Sequence, residues 1–284
     1  MSKTIILGAK GQLGTAFCRL LADSGTEFLA LDRSRVDLAR PDDMDLSIEP
    51  GSVVVNCGAY TQVDQAEKEE DLATLINGES VGKLASRCAQ VGARFVHFST
   101  DYVFDGNAEQ PYPVDHPRDP VNAYGRSKAR GEELMEAAGG EGLLIRTSWV
   151  YAPWGKNFLK TMARLMPQRD QLKVVSDQKG RPTHVMGLAQ RTCELLEQGV
   201  SGTFHVTDGG ECTWHEFASA IRDIGGFDCE VDPCTTADYP LPAPRPAYSV
   251  LDTSATDALL GPPKHFRVWL ADALGKLADG ESSA

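Results

Sequence analysis

Lys3-Thr4-Ile5-Ile6-Leu7 runs directly into Gly8-Ala9-Lys10-Gly11-Gln12-Leu13-Gly14, and an apolar-periodic stretch through Phe17, Leu20 and Leu21 follows. The first segment has the β-branched, apolar composition of a short buried strand, and the last has the spacing of an amphipathic helix. Glycines between them let the backbone turn sharply and keep side chains away from whatever settles on the helix start. Unpaired amide protons at a helix N-terminus attract an anion. Strand, glycine turn and helix together therefore predict a seat for a dinucleotide pyrophosphate.

Working outward, strand and helix signals alternate. Strands are expected over residues 27–31, 52–55, 94–98 and 142–146, and helices over 64–90, where Asp64 and Glu67 have capping-box spacing, and from Tyr124 onward. A proline-rich loop over 105–120 separates the fourth strand from the Tyr124 helix. Such alternation implies an α/β fold, a Rossmann-type doubly wound parallel sheet with helices on both faces. Glycine intervals of three and three suit the short-chain dehydrogenase variety of that fold better than intervals of two and three. Beyond Trp149 the pattern becomes irregular, with helices over 156–165 and 184–197, a Gly-Arg-Pro turn at 180–182, a strand over 203–206 and a proline-studded loop at Pro240, Pro242, Pro244 and Pro246. Residues 1–147, with 183–200 and about 248–254, are expected to form the nucleotide-binding domain. A smaller α/β substrate lobe takes 148–182, 201–247 and 255–284, and the tail at 280–284 is expected to fray.

The second strand ends in Asp32-Arg33. A carboxylate there accepts from adenosine ribose hydroxyls and favours NADH, whereas the arginine suits the extra phosphate of NADPH, so either cofactor is allowed. Asp37 and Leu38 fall toward the adenine side, although Asp37 could equally begin a turn before Pro41. Gly58, Ala59 and Tyr60 follow the third strand, where small residues let a flat cofactor lie close. With Gly8, Gly11, Gln12, Leu13 and Gly14 these are the candidate cofactor contacts.

The chemistry is signalled by Ser99-Thr100-Asp101-Tyr102-Val103-Phe104 and Tyr124-Gly125-Arg126-Ser127-Lys128. Side chains at i and i+4 share a helix face, so Lys128 can stand beside Tyr124 and, as an ammonium, favour its phenolate. A free phenol ionises near about pH 10, and a neighbouring cation is one way to bring it into a useful range. A hydroxyl at the end of a strand, a tyrosine and a lysine together can move a proton to or from an oxygen while a cofactor moves a hydride.

The composition of the 284-residue chain, 42% apolar and 24% charged, is that of a globular protein. A net charge of −12 argues against nucleic acid or an anionic membrane as partner. An anionic nucleotide substrate would then need local positive charge, which Arg181 and Arg245 could supply. For Arg245 a structural ion pair is an equal alternative. No basic, apolar leader opens the sequence and no run has membrane-span length, so a cytoplasmic protein is expected. The 7 cysteines are scattered, the nearest pair being Cys229 and Cys234, and lack metal-ligand spacing; reduced thiols and no bound metal are expected.

The chain closely resembles the dTDP-4-dehydrorhamnose reductase family of extended short-chain dehydrogenases. The likeness runs nearly end to end through Gly8-x-x-Gly11-Gln12-Leu13-Gly14, Ala59-Tyr60-Thr61-x-Val63-Asp64-x-Ala66-Glu67, Ser99 to Gly106, Tyr124-Gly125-x-x-Lys128, Arg146-Thr147-Ser148-Trp149-Val150-Tyr151, Asp177-Gln178-x-Gly180-x-Pro182-Thr183 and Pro242-x-Pro244-Arg245-Pro246. The resemblance implies reduction by NADH or NADPH of the 4-keto group of a dTDP-linked 6-deoxyhexose. It also implies that Tyr124 donates the proton, that Lys128 binds the nicotinamide ribose and lowers the Tyr124 pKa, and that Thr100 bonds the keto oxygen. By the same carry-over Asp101, Tyr102 and Trp149 line the sugar site, with a plain core aromatic as the alternative for Trp149, and Asn157 and Arg181 face the nucleotide diphosphate.

Departures limit the likeness. Some relatives form magnesium-bridged dimers through glutamates, one of which falls where this chain has Ala16, so no such metal bridge is expected and a homodimer stays open. Tyr248 replaces a small amide and could change sugar preference. A 4,6-dehydratase would need a second carboxylate after Asp101, where Tyr102 stands. Two other readings stay open: a reductase of another nucleotide-linked 4-keto deoxysugar, and a non-catalytic dinucleotide-binding subunit resembling methionine adenosyltransferase β.

Overall fold

The strand that opens the sequence lies inside the sheet. In the computed structural model, which describes residues 3–280, β1 (Thr4–Leu7) sits between β2 (Phe28–Leu31) and β3 (Val53–Asn56). The sheet continues through β4 (Arg94–Thr100), β5 (Gly142–Thr147) and β6 (Gly202–His205), six parallel strands in spatial order 6-5-4-3-1-2. Residues 281–284 of the expected tail lie outside the described residues.

Alternation along each strand divides the core. Ile5, Leu7, Val54, Phe95 and Leu144 enter one apolar cluster beneath α4 (Ser80–Val91) and α5 (Ala123–Ala138). Ile6, Val55, Val96, Leu143 and Ile145 enter the opposite one, beneath α1 (Gln12–Asp23) and α7 (Val185–Glu197). A third cluster joins α6 (Phe158–Leu165), α8 (Trp214–Gly225) and α10 (Phe266–Ala278) to the parallel pair Gln171–Val175 and Glu230–Cys234. None of the helices among the described residues is long and apolar enough to cross a membrane.

Two expectations are corrected. Residues 64–90 are not one helix but α2 (Val63–Ala66), α3 (Glu70–Thr74) and α4, the last two joined by a π-helical turn at Leu75–Glu79. Asp64 and Glu67 form no capping box, because tertiary partners claim both carboxylates: Asp64 pairs with Arg245 at 3.0 Å, and Glu67 Oε1 accepts from the Ala123 amide at 2.8 Å. The second correction concerns the lobe boundary. Residues 202–205 belong to the main sheet as β6, paired with β5, and α9 (Ser254–Leu260) is tied to the same body through Asp257–Arg191 at 2.8 Å and Thr256 Oγ1 donating to His205 O at 2.7 Å.

Candidate active site

The order of strands reverses between β1 and β3, and their carboxyl ends part there to leave a crevice. Gly8 turns the chain at φ +72°, and a Cβ on it would lie 2.7 Å from the Gly58 amide nitrogen. A Cβ on Gly14 would lie 2.2 Å from Gly8 O, so the third glycine lets α1 rest on the turn. Helix α1 begins with neither a side-chain cap nor an acidic residue, which leaves its first amide protons for a ligand.

The crevice opens into a cavity of about 590 Å³ lined by Gly8, Gly11, Gln12, Leu13, Asp32, Gly58, Ala59, Thr100, Asp101, Tyr102, Tyr124, Lys128 and Trp149. The glycine turn and the Thr-Tyr-Lys group, 120 residues apart along the chain at their extremes (8 to 128), thus share one wall system. Lys10, Arg33, Thr61, Val63, Lys156 and Trp214 line it as well. Of these, Lys10 and Thr61 lie inside motifs read for other residues and Lys156 directly precedes the expected contact Asn157, whereas Trp214 comes from a segment without an expected site.

Asp32 stands at the end of β2 with Lys10 across from it. That ammonium and the Ser34 hydroxyl and amide hold its carboxyl down to about 2. Arg33 is engaged with Asp37 at 3.2 Å.

Thr100 ends β4. Its hydroxyl donates to Asp101 Oδ1 at 2.9 Å and accepts from the Tyr102 amide at 3.2 Å, capping a short 3-10 turn over Asp101–Val103. Tyr124 sits in the first turn of α5, which Asn122 caps by accepting from the Gly125 amide at 2.8 Å. A Cβ on Gly125 would lie 2.2 Å from Tyr102 O, so this glycine lets the helix start dock on that turn. The rings of Tyr102 and Tyr124 meet edge to face, 5.9 Å between centroids.

The protonation pattern differs from expectation at one point. Burial, then the Asp101 carboxylate, push the Tyr124 phenol up to about 12, against a smaller opposing hydrogen bond from Thr100. The Lys128 Nζ is bound at β4, donating to Phe98 O at 2.6 Å and lying 3.0 Å from His97 Nε2. Burial takes Lys128 down to about 8 and Asp101 up to about 6.

Trp149 lines the cavity and is not a plain core aromatic. It adopts φ +46°, its ring stacks on Trp214, and a Cβ on Gly180 would lie 2.6 Å from its Cε2.

Six expected contacts lie elsewhere. Gly14 packs the turn as described. Asp37 accepts from the Ala39 amide at 3.0 Å, and Leu38 is buried behind Gly58, its Cδ1 2.8 Å from where a Gly58 Cβ would be. Tyr60 is buried with its hydroxyl donating to Glu69 Oε2 at 2.7 Å. Asn157 caps α6 and steadies the cavity residue Gln12, donating to its Oε1 at 2.7 Å. Arg181 donates to Thr253 Oγ1 at 3.2 Å. Of the two readings of Arg245, the ion pair is the one observed. Tyr248 bonds Gly106 O through its amide at 3.0 Å and is absent from the cavity wall. Ala16 is fully buried, and no cluster of three or more His, Cys, Asp or Glu that could hold a metal occurs among the described residues.

Comparison with known proteins agrees over the full chain. The family described as the RmlD substrate binding domain matches residues 2–278. The spore coat polysaccharide biosynthesis protein SpsK of Bacillus subtilis (strain 168) is 42% identical over 277 residues, covering 96% of this chain and 97% of that protein. A dTDP-4-dehydrorhamnose reductase of Burkholderia thailandensis is 42% identical over 278 residues, covering 91% and 93%. The crystal structure of dTDP-4-dehydrorhamnose reductase from Bacillus anthracis in complex with NADP superposes with a TM-score of 0.89 at 34% identity, covering 99% of this chain and 100% of that one.

Proposed function

The chain belongs to the dTDP-4-dehydrorhamnose reductase family, and from that premise we propose that it reduces the 4-keto group of dTDP-4-dehydro-L-rhamnose to give dTDP-L-rhamnose, using NADH or NADPH. The observation that carries this reading is the single cavity that has a glycine-turn helix start at one end and Thr100, Tyr124 and Lys128 at the other.

The cradle suits a dinucleotide, since bare glycines at 8 and 14 let the turn and the start of α1 pack closely, where a Cβ on either would collide with backbone. The α1 amides would hold the pyrophosphate and Asp32 the adenosine ribose, with Lys10 and Arg33 near enough to that edge of the cavity to admit the phosphate of NADPH. Bound there, the nicotinamide supplies a hydride. The phenol of Tyr124, kept protonated at neutral pH by burial, donates its proton to the keto oxygen as negative charge grows on it. Thr100 Oγ1, whose proton otherwise goes to Asp101 Oδ1, turns to hold the same oxygen, and such donors act most strongly in a buried site. Lys128 holds the nicotinamide ribose. Asp101, Tyr102 and Trp149 face the sugar, and Lys156 and Lys10 supply local positive charge to an anionic nucleotide in a chain of net charge −12. With Tyr102 following Asp101, a dehydratase's second carboxylate is missing. The free cysteines suit a reducing cytoplasm.

The test is to incubate purified protein with NADH or NADPH and dTDP-4-dehydro-L-rhamnose made in situ, following cofactor absorbance and the sugar product. Turnover is expected. Cofactor binding without turnover on this or related 4-keto sugars would favour a non-catalytic subunit.

A further inference from the structure

Over a few residues after Tyr151 the chain crosses from one apolar cluster to another. Trp154 is 1% exposed and packs in the cluster beneath α1, with the Arg19 guanidinium over its ring at 4.2 Å. Phe158, which opens α6, packs against the cluster shared with α8 and α10, its ring centroid 4.7 Å from that of Trp214. Between them Gly155 turns at φ +71° and Lys156 lines the cavity.

Gln12, the first residue of α1, spans this crossing. Its carbonyl accepts from Trp154 Nε1 at 3.0 Å, its Nε2 donates to Lys156 O at 3.3 Å, and its Oε1 accepts from Asn157 Nδ2 at 2.7 Å. A Cβ on Gly155 would lie 2.6 Å from Gln12 Cγ, so the bare glycine lets the side chain lie along the segment. These bonds have one possible direction. Asn157 Oδ1 accepts from the Lys160 amide at 3.0 Å, and a backbone N–H only donates, so the Asn157 NH2 faces Gln12. Gln12 must then present its oxygen to Asn157, which turns its own NH2 to Lys156 O, a group that only accepts. Both polar atoms of the side chain are thereby committed to residues 144 and 145 positions away, while the Gln12 amide belongs to the uncapped start of α1.

We propose that Gln12 is a positioning residue that couples the dinucleotide seat to the cavity wall made by Lys156, Trp214 and Trp149. A pyrophosphate on the α1 amides fixes the backbone of Gln12. Through its side chain it then fixes Lys156 and the start of α6, where Phe158 meets Trp214 and Trp214 stacks on Trp149. The ligand that binds first bears this ordering, so the second binds more tightly, and the gain is the same in either order. The second ligand is an anionic nucleoside diphosphate sugar, met by the Lys156 ammonium. That identity rests on the reductase reading, whereas the tie between Gln12 and residues 154–158 does not.

Two variants cut the tie and leave the backbone of the seat in place. Gln12→Met keeps the length of the side chain and loses both of its bonds. Asn157→Ser keeps a good helix cap and loses the reach to Gln12. Hydrogen–deuterium exchange in the native protein is expected to slow over residues 154–160 when NADP+ is added, and this slowing is expected to be lost in both variants with NADP+ bound. Slowing that persists unchanged in a folded variant, or that is absent from the native protein, overturns the proposal. In calorimetry, dTDP is expected to bind about tenfold more tightly with NADP+ than without it, and this ratio should fall toward one in Gln12→Met. Equal ratios in the native protein and the variant also overturn the proposal. If one variant does not fold, the other decides. Should dTDP bind in neither state while the exchange result holds, the sugar-nucleotide reading falls and the tie stands.

Discussion

Trp149 lies flat on Trp214, the ring centroids 3.6 Å apart and the planes 7° from parallel, while its backbone is held at φ +46°. A left-handed tryptophan is a costly conformation that surrounding contacts must fix. Here the second ring on one side and the bare Gly180 on the other do so. Trp214→Ala should free the indole and raise KM for the sugar nucleotide about tenfold, equivalent to about 1.4 kcal/mol, with a smaller change in kcat. An unchanged KM in steady-state kinetics would show that the stack has no part in the site.

Asp101 is fully enclosed, and burial raises its carboxyl from 3.8 to about 6. The folded state therefore binds more protons than the unfolded chain between about pH 4 and pH 6. This contribution to stability is greatest below that window and falls as pH rises through it, by up to roughly 3 kcal/mol. Asp101→Asn should remove that fall and gain stability at neutral pH while losing activity, as followed by urea denaturation across the window.

Gly14 and Gly92 separate close packing from backbone freedom. A Cβ at Gly14 would lie 2.2 Å from Gly8 O, whereas Gly92, at φ +69°, has no atom within 4 Å of such a Cβ. Gly14→Ala should cost about 1–3 kcal/mol and weaken cofactor binding, because the turn itself must move. Gly92→Ala should cost about 1 kcal/mol and leave cofactor titrations unchanged.

Glu132 is wholly buried against Arg146, with Arg118 at 3.2 Å on the other side. Removing one partner strands the other's charge. Glu132→Gln should lower stability by about 3–5 kcal/mol in chemical denaturation.

The glycine turn, the first five sheet strands and the Tyr124–Lys128 helix were legible in the sequence because each announces itself locally, by a period or a short motif. What escaped depends on distant partners. Periodicity runs on past Glu67, yet the helix breaks there, since Arg245 and the Ala123 amide take the carboxylates that a helix start would use. Leu38 follows the second strand as a cofactor contact would, but it packs behind Gly58. Trp214 reaches the cavity from a segment with no expected site, although Thr213 and Glu216 form a true capping box that could have marked α8. The lysine was expected beside the phenol as a charge. Its spacing could not reveal that Phe98 O and His97 also bind its head.

The most direct test of the central claim, that the Tyr124 phenol delivers the proton, is kcat for Tyr124→Phe with cofactor affinity measured on the same preparation. A fall of about 10²–10⁴-fold in kcat with cofactor binding retained is the predicted result. Turnover close to that of the unaltered protein would contradict it.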